Sequence, residues 1–435
     1  MKKSDRRLIA LFIVFFGQII LPLSEKSFSS IEKRHESTHS VARSLTNEMS
    51  SFAGMSQSEA LIDEFMDEWG IAGASVAITK DERLIYAKGF GYADTSTRKL
   101  VEPKHLFRVA SVSKLITAVA IMKLVEQEKL SLNDKVFGEE GVLNSSNYQN
   151  IRNSRITDIT VRHLLCHKAG WSQFHGDPIF SPYTIINAMD VPLPIDLETT
   201  IEYTLKHREL SFDPGTKSSY SNFGYALLGI VIEEVTNMNY EQYVSSEILN
   251  PAGIYDMQIG SSRLDERKKN EVKYYSNSKY KNAFSSFTRG KIVPRQYGGN
   301  NFDLLGAAGA WLASPTELMK LLVHIDRKPS KQDILSESTI NKMIQVKGNG
   351  HPIGWMSVNS KDIWKRTGTL TGTSALLKRC SDGIAWTILV NTNNDLGPDF
   401  TYNLDTLMSN VVDNVSEWPD YDLFYYNKPK SLFAF

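Results

Sequence analysis

Strand-like segments lie near both ends of this chain, and helix-forming segments fill the region between them. Six segments rich in small and β-branched residues share this character, at residues 74–79, 84–90, 353–358, 363–367, 374–379 and 385–390. Strands grouped apart from helices are typical of an α+β arrangement rather than of alternating βαβ units. The sequence therefore predicts an α/β (α+β) fold. An antiparallel sheet, built from both ends of the chain, is flanked by helices, and the middle forms a mostly helical subdomain.

The first residues differ from the rest of the 435-residue chain. Several basic residues precede an apolar run at residues 8–23, which is the layout of a secretory signal. An uncleaved membrane anchor is the alternative for residues 1–29, although the run is shorter than the ~20 residues of a spanning helix. We predict a flexible tether at 30–55, the folded domain at 56–415 and an aromatic tail at 416–435. The protein is therefore expected to be exported, to a periplasmic or extracellular location.

Composition excludes some partners. Lys plus Arg equals Asp plus Glu at 49 each, so no overall field attracts a polyanion, and we expect no nucleic-acid partner. Membrane contact is expected only through the N-terminal segment. His163 and His167 lie four apart on one helical face, as two metal ligands would, but the glutamate of a metalloprotease motif is absent between them. We interpret both as structural residues and expect no metal.

Ser111 and Lys114 form a Ser-x-x-Lys motif where a loop meets a long apolar helix. Residues three apart in the first turn share one face, so the Lys114 ammonium can lie against the Ser111 hydroxyl and draw off its proton. The alternative is an N-cap serine beside a solvated lysine. Because this helix is apolar around most of its circumference, we predict that it is buried and holds Ser111 in place.

Tyr220 and Asn222 stand two apart, just before another helix. In an extended or tightly turned loop they project to the same side, so a phenol and a carboxamide can face one cavity. A neighbouring ammonium would lower the pKa of the phenol, which could then exchange a proton with a serine. The alternative is an N-capping Asn222 beside a half-buried tyrosine.

A third polar segment covers Lys365 to Thr369 in a strand-like stretch. A cation and the Thr367 hydroxyl on an edge strand can bind a substrate carboxylate, and Gly368 lets substrate backbone approach closely. The alternative is an exposed edge strand that its charges protect from pairing.

In this order, the three motifs resemble those of the serine β-lactamase and penicillin-binding superfamily, specifically its class C β-lactamase, D-Ala-D-Ala carboxypeptidase and esterase branch. Residues 106–110, 160–167 and 306–309, and Pro214-Gly215 before the tyrosine, look like the same branch. The likeness spans roughly residues 56–415.

The resemblance implies a helical subdomain packed beside an α/β/α sandwich, with the active site in the cleft between them. Ser111 would attack a carbonyl, and Lys114 and Tyr220 would share the proton transfers. Asn222 would bind substrate or orient Lys114, while Arg366, Thr367 and Gly368 would bind substrate. Backbone N–H groups of Ser111 and Thr369 would form the oxyanion hole. Water would release the acyl group, so no metal or organic cofactor is expected.

One residue departs from the family pattern. The family usually has Lys or His where this chain has Arg366, with Lys365 one position earlier. Because a strand alternates faces, only one of these cations can point into the cleft. Arginine binds a carboxylate but cannot relay protons. We therefore predict a serine hydrolase that acts on an ester or amide, either cell-wall peptide or a small ester with a carboxylate. The alternatives are a true β-lactamase and an inactive protein that binds peptide without hydrolysis.

Overall fold

The computed structural model describes residues 41–346 and 348–425. Its helices, numbered in chain order, are α1 (Ser56–Trp69), α2 (Ser113–Glu126), α3 (Val161–Leu165), α4 (Pro182–Met189), α5 (Leu197–His207), α6 (Asn222–Thr236), α7 (Tyr240–Val244), α8 (Phe302–Gly309), α9 (Pro315–Leu322), α10 (Glu337–Ile344) and α11 (Phe400–Asp413). Its strands are β1 (Gly73–Lys80), β2 (Arg83–Asp94), β3 (Lys99–Leu100), β4 (Phe107–Arg108), β5 (Gln258–Ile259), β6 (Tyr275–Ser276), β7 (Asn282–Phe284), β8 (Ile292–Pro294), β9 (Trp311–Ala313), β10 (Ser357–Val358), β11 (Trp364–Leu370), β12 (Thr373–Arg379), β13 (Ile384–Val390) and β14 (Thr392–Asn393).

The main sheet joins strands from the two ends of the chain. Its order in the described residues is β10-β11-β12-β13-β1-β2-β3, and each neighbouring pair is antiparallel. β13 lies beside β1, with Ile388 opposite Val76, so the late strands complete a sheet that the early hairpin begins. The predicted antiparallel sheet flanked by helices is confirmed.

Helices cover both faces of this sheet because its central strands are apolar on both sides. Val76 and Ile78 of β1 belong to one core cluster with Ile62 of α1 and Leu404 of α11. Ala77, which points to the opposite face, belongs to the core shared with α2, α9 and the helical region from α3 to α8. The helical subdomain thus packs on the α2 side, and α2 is buried between the two parts as predicted.

Ordered structure begins earlier in the chain than the predicted boundary at Ser56. The Asn47 side chain bonds with backbone atoms of Gly89 and Val101, and Leu45 is buried. The predicted signal or anchor at 1–29, and the tether up to residue 40, lie outside the described residues. Among the residues described, none of the helices has the length and apolarity needed to cross a bilayer.

Two surface segments also acquire a definite structure. The four prolines in residues 178–194 predict a long loop or lid with little regular structure. The segment instead contains α4, which begins at Pro182 and buries Ile185 and Ile186. Proline at the first helical position needs no N–H partner, which favours a helix start there. Near the end of the described residues, Leu423 and Phe424 are buried whereas Tyr425 is 63% exposed, and the rest of the predicted aromatic tail, residues 426–435, lies outside the described residues.

Candidate active site

Ser111 lies at the junction between β4 and α2. The Arg108 side chain before the junction is buried, and its terminal nitrogens donate to the carbonyl oxygens of Gln296 (2.7 Å) and Ser261 (2.9 Å). Ala110 has a φ of +47°, in the left-handed region that costs a non-glycine residue conformational energy. The backbone that carries Ser111 is therefore held in a tight, strained turn between an anchored strand and a buried helix.

The Lys114 side chain is completely buried, and its ammonium has an acceptor for each of its three N–H groups. Nζ donates to Ser111 Oγ (3.3 Å), Asn222 Oδ1 (2.8 Å) and the Ala308 carbonyl oxygen (2.5 Å). Burial lowers the pKa of Lys114, although the nearby Tyr220 phenol opposes this shift. If it lost a proton, the amine could keep its bonds to Asn222 and Ala308 and turn a lone pair toward Ser111.

Tyr220 approaches Ser111 from the loop before α6. Its hydroxyl donates to Ser111 Oγ at 2.7 Å, while Arg366 Nη2 donates to the Tyr220 oxygen at 3.3 Å. The Lys114 ammonium lies 4.9 Å from the centre of the Tyr220 ring. Burial alone would raise the pKa of the phenol, but the two cations and the hydrogen bonds outweigh burial and bring it to about 8. Such a phenol can accept and return a proton near neutral pH.

Asn222 is the first residue of α6, and an acid from a distant segment holds it. Its side chain accepts from Lys114, and its backbone N–H donates to Asp177 Oδ2 at 2.6 Å. Asp177 also accepts from the backbone N–H groups of Phe223 and Ile179. Burial raises the pKa of Asp177, although these donors oppose the shift. Locally, Asp177 caps the short 3-10 helix Pro178–Phe180, and no local motif indicates that it also bonds the start of α6, 45 residues later.

The two neighbouring cations of β11 point in opposite directions, as strand geometry predicts. Lys365 Nζ bonds Asp405 of α11 at 2.9 Å, on the far face of the sheet. Arg366 is 1% exposed; its Nε donates to the Ser111 carbonyl oxygen at 2.8 Å, and its Nη2 to Tyr220. In this structure Arg366 Nε and Nη2 thus contact the Ser111 loop and the Tyr220 phenol, and the binding of a substrate carboxylate by Arg366 stays a prediction. Alternation puts Thr367 on the opposite face from Arg366.

The absence of a side chain at Gly368 lets the backbone of Val109 and Ser111 approach β11 closely. A Cβ at this position would lie 2.2 Å from the Val109 carbonyl oxygen and 2.9 Å from the Ser111 nitrogen, closer than real Cβ atoms come. The loop that carries the nucleophile therefore packs directly on β11. The substrate-binding role that the sequence predicts for Gly368 stays a prediction.

The backbone of Thr369 faces an open edge of the sheet. β10 pairs with β11 only at Trp364 and Lys365, where the Lys365 carbonyl accepts from Met356. Because the backbone groups of alternate residues point to the same side of an antiparallel strand, the Thr369 N–H points to that same edge. No described strand pairs there beyond Lys365. The Thr369 N–H is thus positioned beside the Ser111 loop and is available to an incoming oxygen, as the predicted oxyanion hole requires.

Two histidines contribute to the surroundings of Tyr220 in ways that the motifs do not reveal. His167 stacks on Tyr220 with ring centres 4.3 Å apart, and His351 meets His167 edge-on at 5.2 Å. Burial lowers the pKa of His167 well below its usual value, so its ring is neutral near neutral pH and accepts a hydrogen bond from Ser221. His163 instead caps α3 through Thr160. The described residues contain no cluster of His, Cys, Asp or Glu that could hold a metal ion.

The structure brings five of the predicted residues into one hydrogen-bonded group, the Ser111 cluster: Ser111, Lys114, Tyr220, Asn222 and Arg366. Gly368 and Thr369 border it through their backbone, and Thr367 contributes no side-chain bond to it. A hydroxyl in contact with both an ammonium and an acidic phenol, beside free N–H groups, can act as a nucleophile toward a carbonyl carbon.

Comparisons with known proteins agree with this geometry. Residues 59–406 match the family described as Beta-lactamase. The chain is 24% identical over 360 residues to Protein flp of Staphylococcus aureus (strain NCTC 8325 / PS 47), covering 81% of this chain and 66% of that protein. It is 29% identical over 317 residues to Penicillin-binding protein 4* of Bacillus subtilis (strain 168), covering 69% and 63%. The chain thus spans slightly less than two thirds of the length of these curated relatives.

A solved structure shares the fold. The octameric penicillin-binding protein homologue from Pyrococcus abyssi superimposes with a TM-score of 0.61 at 28% identity, over 81% of this chain and 77% of that one. The resemblance inferred from the three motifs is therefore confirmed at the level of sequence family and of fold.

Proposed function

The chain belongs to the beta-lactamase family, and we propose that it is a serine hydrolase that cleaves an ester or amide through an acyl-enzyme. One observation carries the proposal: Ser111 Oγ is bonded at once to the Tyr220 phenol (2.7 Å) and the Lys114 ammonium (3.3 Å). A partly exposed serine with a base and a cation on its hydroxyl is the arrangement that nucleophilic catalysis needs. An ordinary helix cap requires neither.

In the acylation step, Ser111 Oγ attacks the carbonyl carbon and its proton passes to Tyr220, acting as a phenolate. Lys114 and Arg366 stabilise that phenolate by their charge. The carbonyl oxygen becomes an oxyanion between the N–H groups of Ser111 and Thr369. When the tetrahedral intermediate collapses, the bond to the leaving group breaks and Tyr220 returns the proton to it. The acyl group then remains on Ser111.

Deacylation uses the same groups with water as the nucleophile. Tyr220 takes a proton from the water that attacks the acyl carbonyl, and Ser111 recovers a proton as it leaves. Asn222 keeps Lys114 oriented throughout, because its amide oxygen accepts one of the ammonium N–H groups. These steps need only the groups of the Ser111 cluster, the oxyanion donors and water.

The proposed substrate is a cell-wall peptide or a small ester, and penicillin is the alternative that the relatives suggest. The curated relatives include a penicillin-binding protein, as its name states. Arg366, which cannot shuttle a proton, stands at a position where the family usually has lysine or histidine, so we expect slow turnover of β-lactams and faster turnover of simple esters.

The proposal is tested by covalent labelling of the purified protein with a fluorophosphonate and with a fluorescent penicillin. We expect the fluorophosphonate to attach to Ser111, located by peptide mass spectrometry, and the Ser111→Ala variant to remain unlabelled. Tyr220→Phe should label about 10²–10³ times more slowly. Tyr225→Phe is the matched control, since this neighbouring buried tyrosine donates to the Leu165 carbonyl and not to Ser111.

Each outcome separates the candidate functions. Labelling by the fluorophosphonate with ester turnover supports the hydrolase, and a penicillin adduct that is rapidly released favours a β-lactamase. A protein that folds and binds peptide but is labelled by neither reagent is a binding protein, and the hydrolase proposal then fails.

A further inference from the structure

A cavity of about 450 Å³ opens beside Thr369, at the end of β11. Four parts of the chain form its walls: the segment that leads into and begins α4, the β7–β8 hairpin with the residues after it, the end of β11 with the turn that follows it, and the segment from Asn393 to Pro398. Its volume lies within the range of pockets that hold small molecules. None of the three motifs includes the hairpin or α4, so this cavity has no role in the function described so far beyond its contact with Thr369.

The cavity adjoins the proposed reaction centre at the end of β11. Thr369 lines it, and Gly368, one residue earlier, packs on the backbone of Ser111. A carbonyl held by the Thr369 N–H would therefore extend one of its substituents along the open edge of β11 into the cavity. The cavity can therefore receive the acyl group, which is the substituent that stays on Ser111 after the first step.

Aromatic side chains form the apolar wall of the cavity. Phe180 and Tyr183 come from the α4 side and Phe284 comes from the hairpin. The Tyr183 and Phe284 rings lie 5.6 Å apart, and the Tyr183 hydroxyl donates to the Ser285 carbonyl oxygen at 3.1 Å. The two segments are thus joined over the cavity, although Phe180 and Phe284 remain 42% and 61% exposed. Such a wall suits an aromatic or alkyl group.

Arg295 is the one charged side chain among the residues that line the cavity. Within the described residues it makes no side-chain hydrogen bond or ion pair, whereas Arg289 of the same hairpin bonds Asn187 and Arg263 pairs with Glu266. A guanidinium without a partner at an apolar pocket is a ready site for a carboxylate. Arg366 differs from Arg295, because its Nε and Nη2 already bond Ser111 and Tyr220.

From these observations, and on the basis of the function proposed above, we infer that the cavity is an acyl-group subsite. It selects an aromatic or alkyl acyl group whose far end carries a negative charge that binds Arg295.

The test compares two aryl esters that differ in one charge. The acyl groups are 3-phenylpropanoyl and 3-(4-carboxyphenyl)propanoyl, each as the p-nitrophenyl ester. We expect kcat/KM to be about tenfold higher for the carboxylated ester, the effect of one charge-assisted contact. Arg295→Gln should bring the ratio close to one, and Arg295→Glu should reverse it. Arg289→Gln is the matched control and should leave the ratio unchanged.

A binding measurement keeps this inference separate from the hydrolase proposal. Titration calorimetry on Ser111→Ala, with the two acyl groups as methyl amides, reports the subsite without any turnover. If no ester is hydrolysed but the carboxylated amide binds more tightly and depends on Arg295, the hydrolase proposal fails and the subsite stands. Equal affinities, or a preference that survives Arg295→Gln, would overturn the subsite.

Discussion

The Ser111 cluster and the cavity at Arg295 adjoin each other along β11, yet they are built in opposite ways. In the cluster, Lys114 and Arg366 are buried. The Lys114 ammonium has three protein acceptors, and Arg366 Nε and Nη2 bond Ser111 and Tyr220. In the cavity, Arg295 is exposed and has no partner among the described residues, and the aromatic wall is partly open to solvent.

This difference separates chemistry from specificity. Groups that transfer protons must be positioned before substrate arrives, and helices α2 and α6 and strand β11 hold them with hydrogen bonds already made. Groups that recognise substrate must instead keep their binding capacity free, and here they lie on a hairpin and on the segment around α4. Substitutions should therefore act mainly on kcat in the cluster and on substrate preference in the cavity.

The largest effect is expected from Lys114→Met, which removes the ammonium but fills its space. Ser111 then loses a bonded cation and Tyr220 loses the charge that lowers its pKa. We expect kcat/KM for a p-nitrophenyl ester to fall by about 10⁴-fold, as for Ser111→Ala. Measurement is by steady-state hydrolysis, with folding checked by circular dichroism.

Lys123→Met on the same helix is the control for this substitution. Lys123 pairs with Glu126 and donates to the Ile334 carbonyl, away from Ser111, so its loss should leave kcat/KM unchanged. Substantial residual acylation in Lys114→Met would refute the role of Lys114.

Gly368→Ala is expected to have the next largest effect, because it disturbs the contact that joins β11 to the nucleophile loop. The added Cβ would meet the Val109 carbonyl oxygen at 2.2 Å, so the loop or the strand must shift. Displacing the Ser111 N–H from the oxyanion hole should lower kcat by about 10²–10³-fold. Overpacking of this kind also costs about 1–3 kcal/mol of unfolding free energy.

Gly224→Ala in α6 provides the comparison for Gly368. Its Cβ would find its nearest neighbour at 3.6 Å, an ordinary contact, and alanine favours a helix. Activity and melting temperature should therefore be retained. If Gly368→Ala behaves in the same way, the tight packing between β11 and the Ser111 loop plays no part in catalysis.

The sequence predicted the Ser111 cluster more completely than it predicted the cavity, for a physical reason. Ser111 and Lys114 are neighbours on one helix turn, and the order of the three motifs has the family pattern, so local spacing encodes most of the chemistry. Asp177 bonds the start of α6, a distant segment, and Arg295 lines the cavity because the β7–β8 hairpin folds beside the end of β11. No local period reveals either placement. The fold class followed from the grouping of strands and helices. The α4 helix did not, because proline suggested a loop and the burial of Ile185 and Ile186 depends on tertiary packing.

Arg366→Met should change the pH dependence of acylation within the cluster. Tyr220, with a pKa of about 8, is the proposed base, so kcat/KM should rise with pH and level off above that value. Removing the Arg366 charge raises the Tyr220 pKa, so the midpoint moves to higher pH. Activity at pH 7 then falls by about tenfold, the loss that corresponds to one pKa unit.

Arg366→Lys distinguishes charge from position in this prediction. It keeps the cation but loses the fork that bonds the Ser111 carbonyl oxygen, so the midpoint should stay near that of the unsubstituted protein. A midpoint that does not move in Arg366→Met would mean that Lys114 alone controls Tyr220. The cavity variant Arg295→Gln should leave the midpoint unchanged, which sharpens the contrast between the two regions.

The smallest effect is expected from Asp333→Asn, outside both regions, in the connection between α9 and α10. Burial, and then repulsion from Asp326, raises the pKa of Asp333 to about 7, so the folded protein keeps this proton while the unfolded chain releases it at lower pH. Stability is therefore lost as pH rises from about 4 through 7. Asparagine removes that loss, so the variant should melt about 2 °C higher at pH 8, with the advantage shrinking toward pH 4.

Asp405→Asn, measured by scanning calorimetry, tests the opposite case, in which a lowered pKa makes stability fall with acidification. Burial would raise the pKa of Asp405, but its bonds to Lys378 and Lys365 outweigh burial and lower it. Its stabilising contribution is present above the unfolded pKa and is lost on acidification, so this variant should melt lower than the parent at pH 8 and approach it in acid. If the melting temperatures of Asp333→Asn and Asp405→Asn changed in the same direction relative to the parent at pH 8, the assigned directions of the two pKa shifts would be contradicted. Asp333 bonds no residue of the Ser111 cluster, so Asp333→Asn should leave the midpoint of the pH profile of kcat/KM unchanged. Changes in activity with pH can then be attributed to Tyr220.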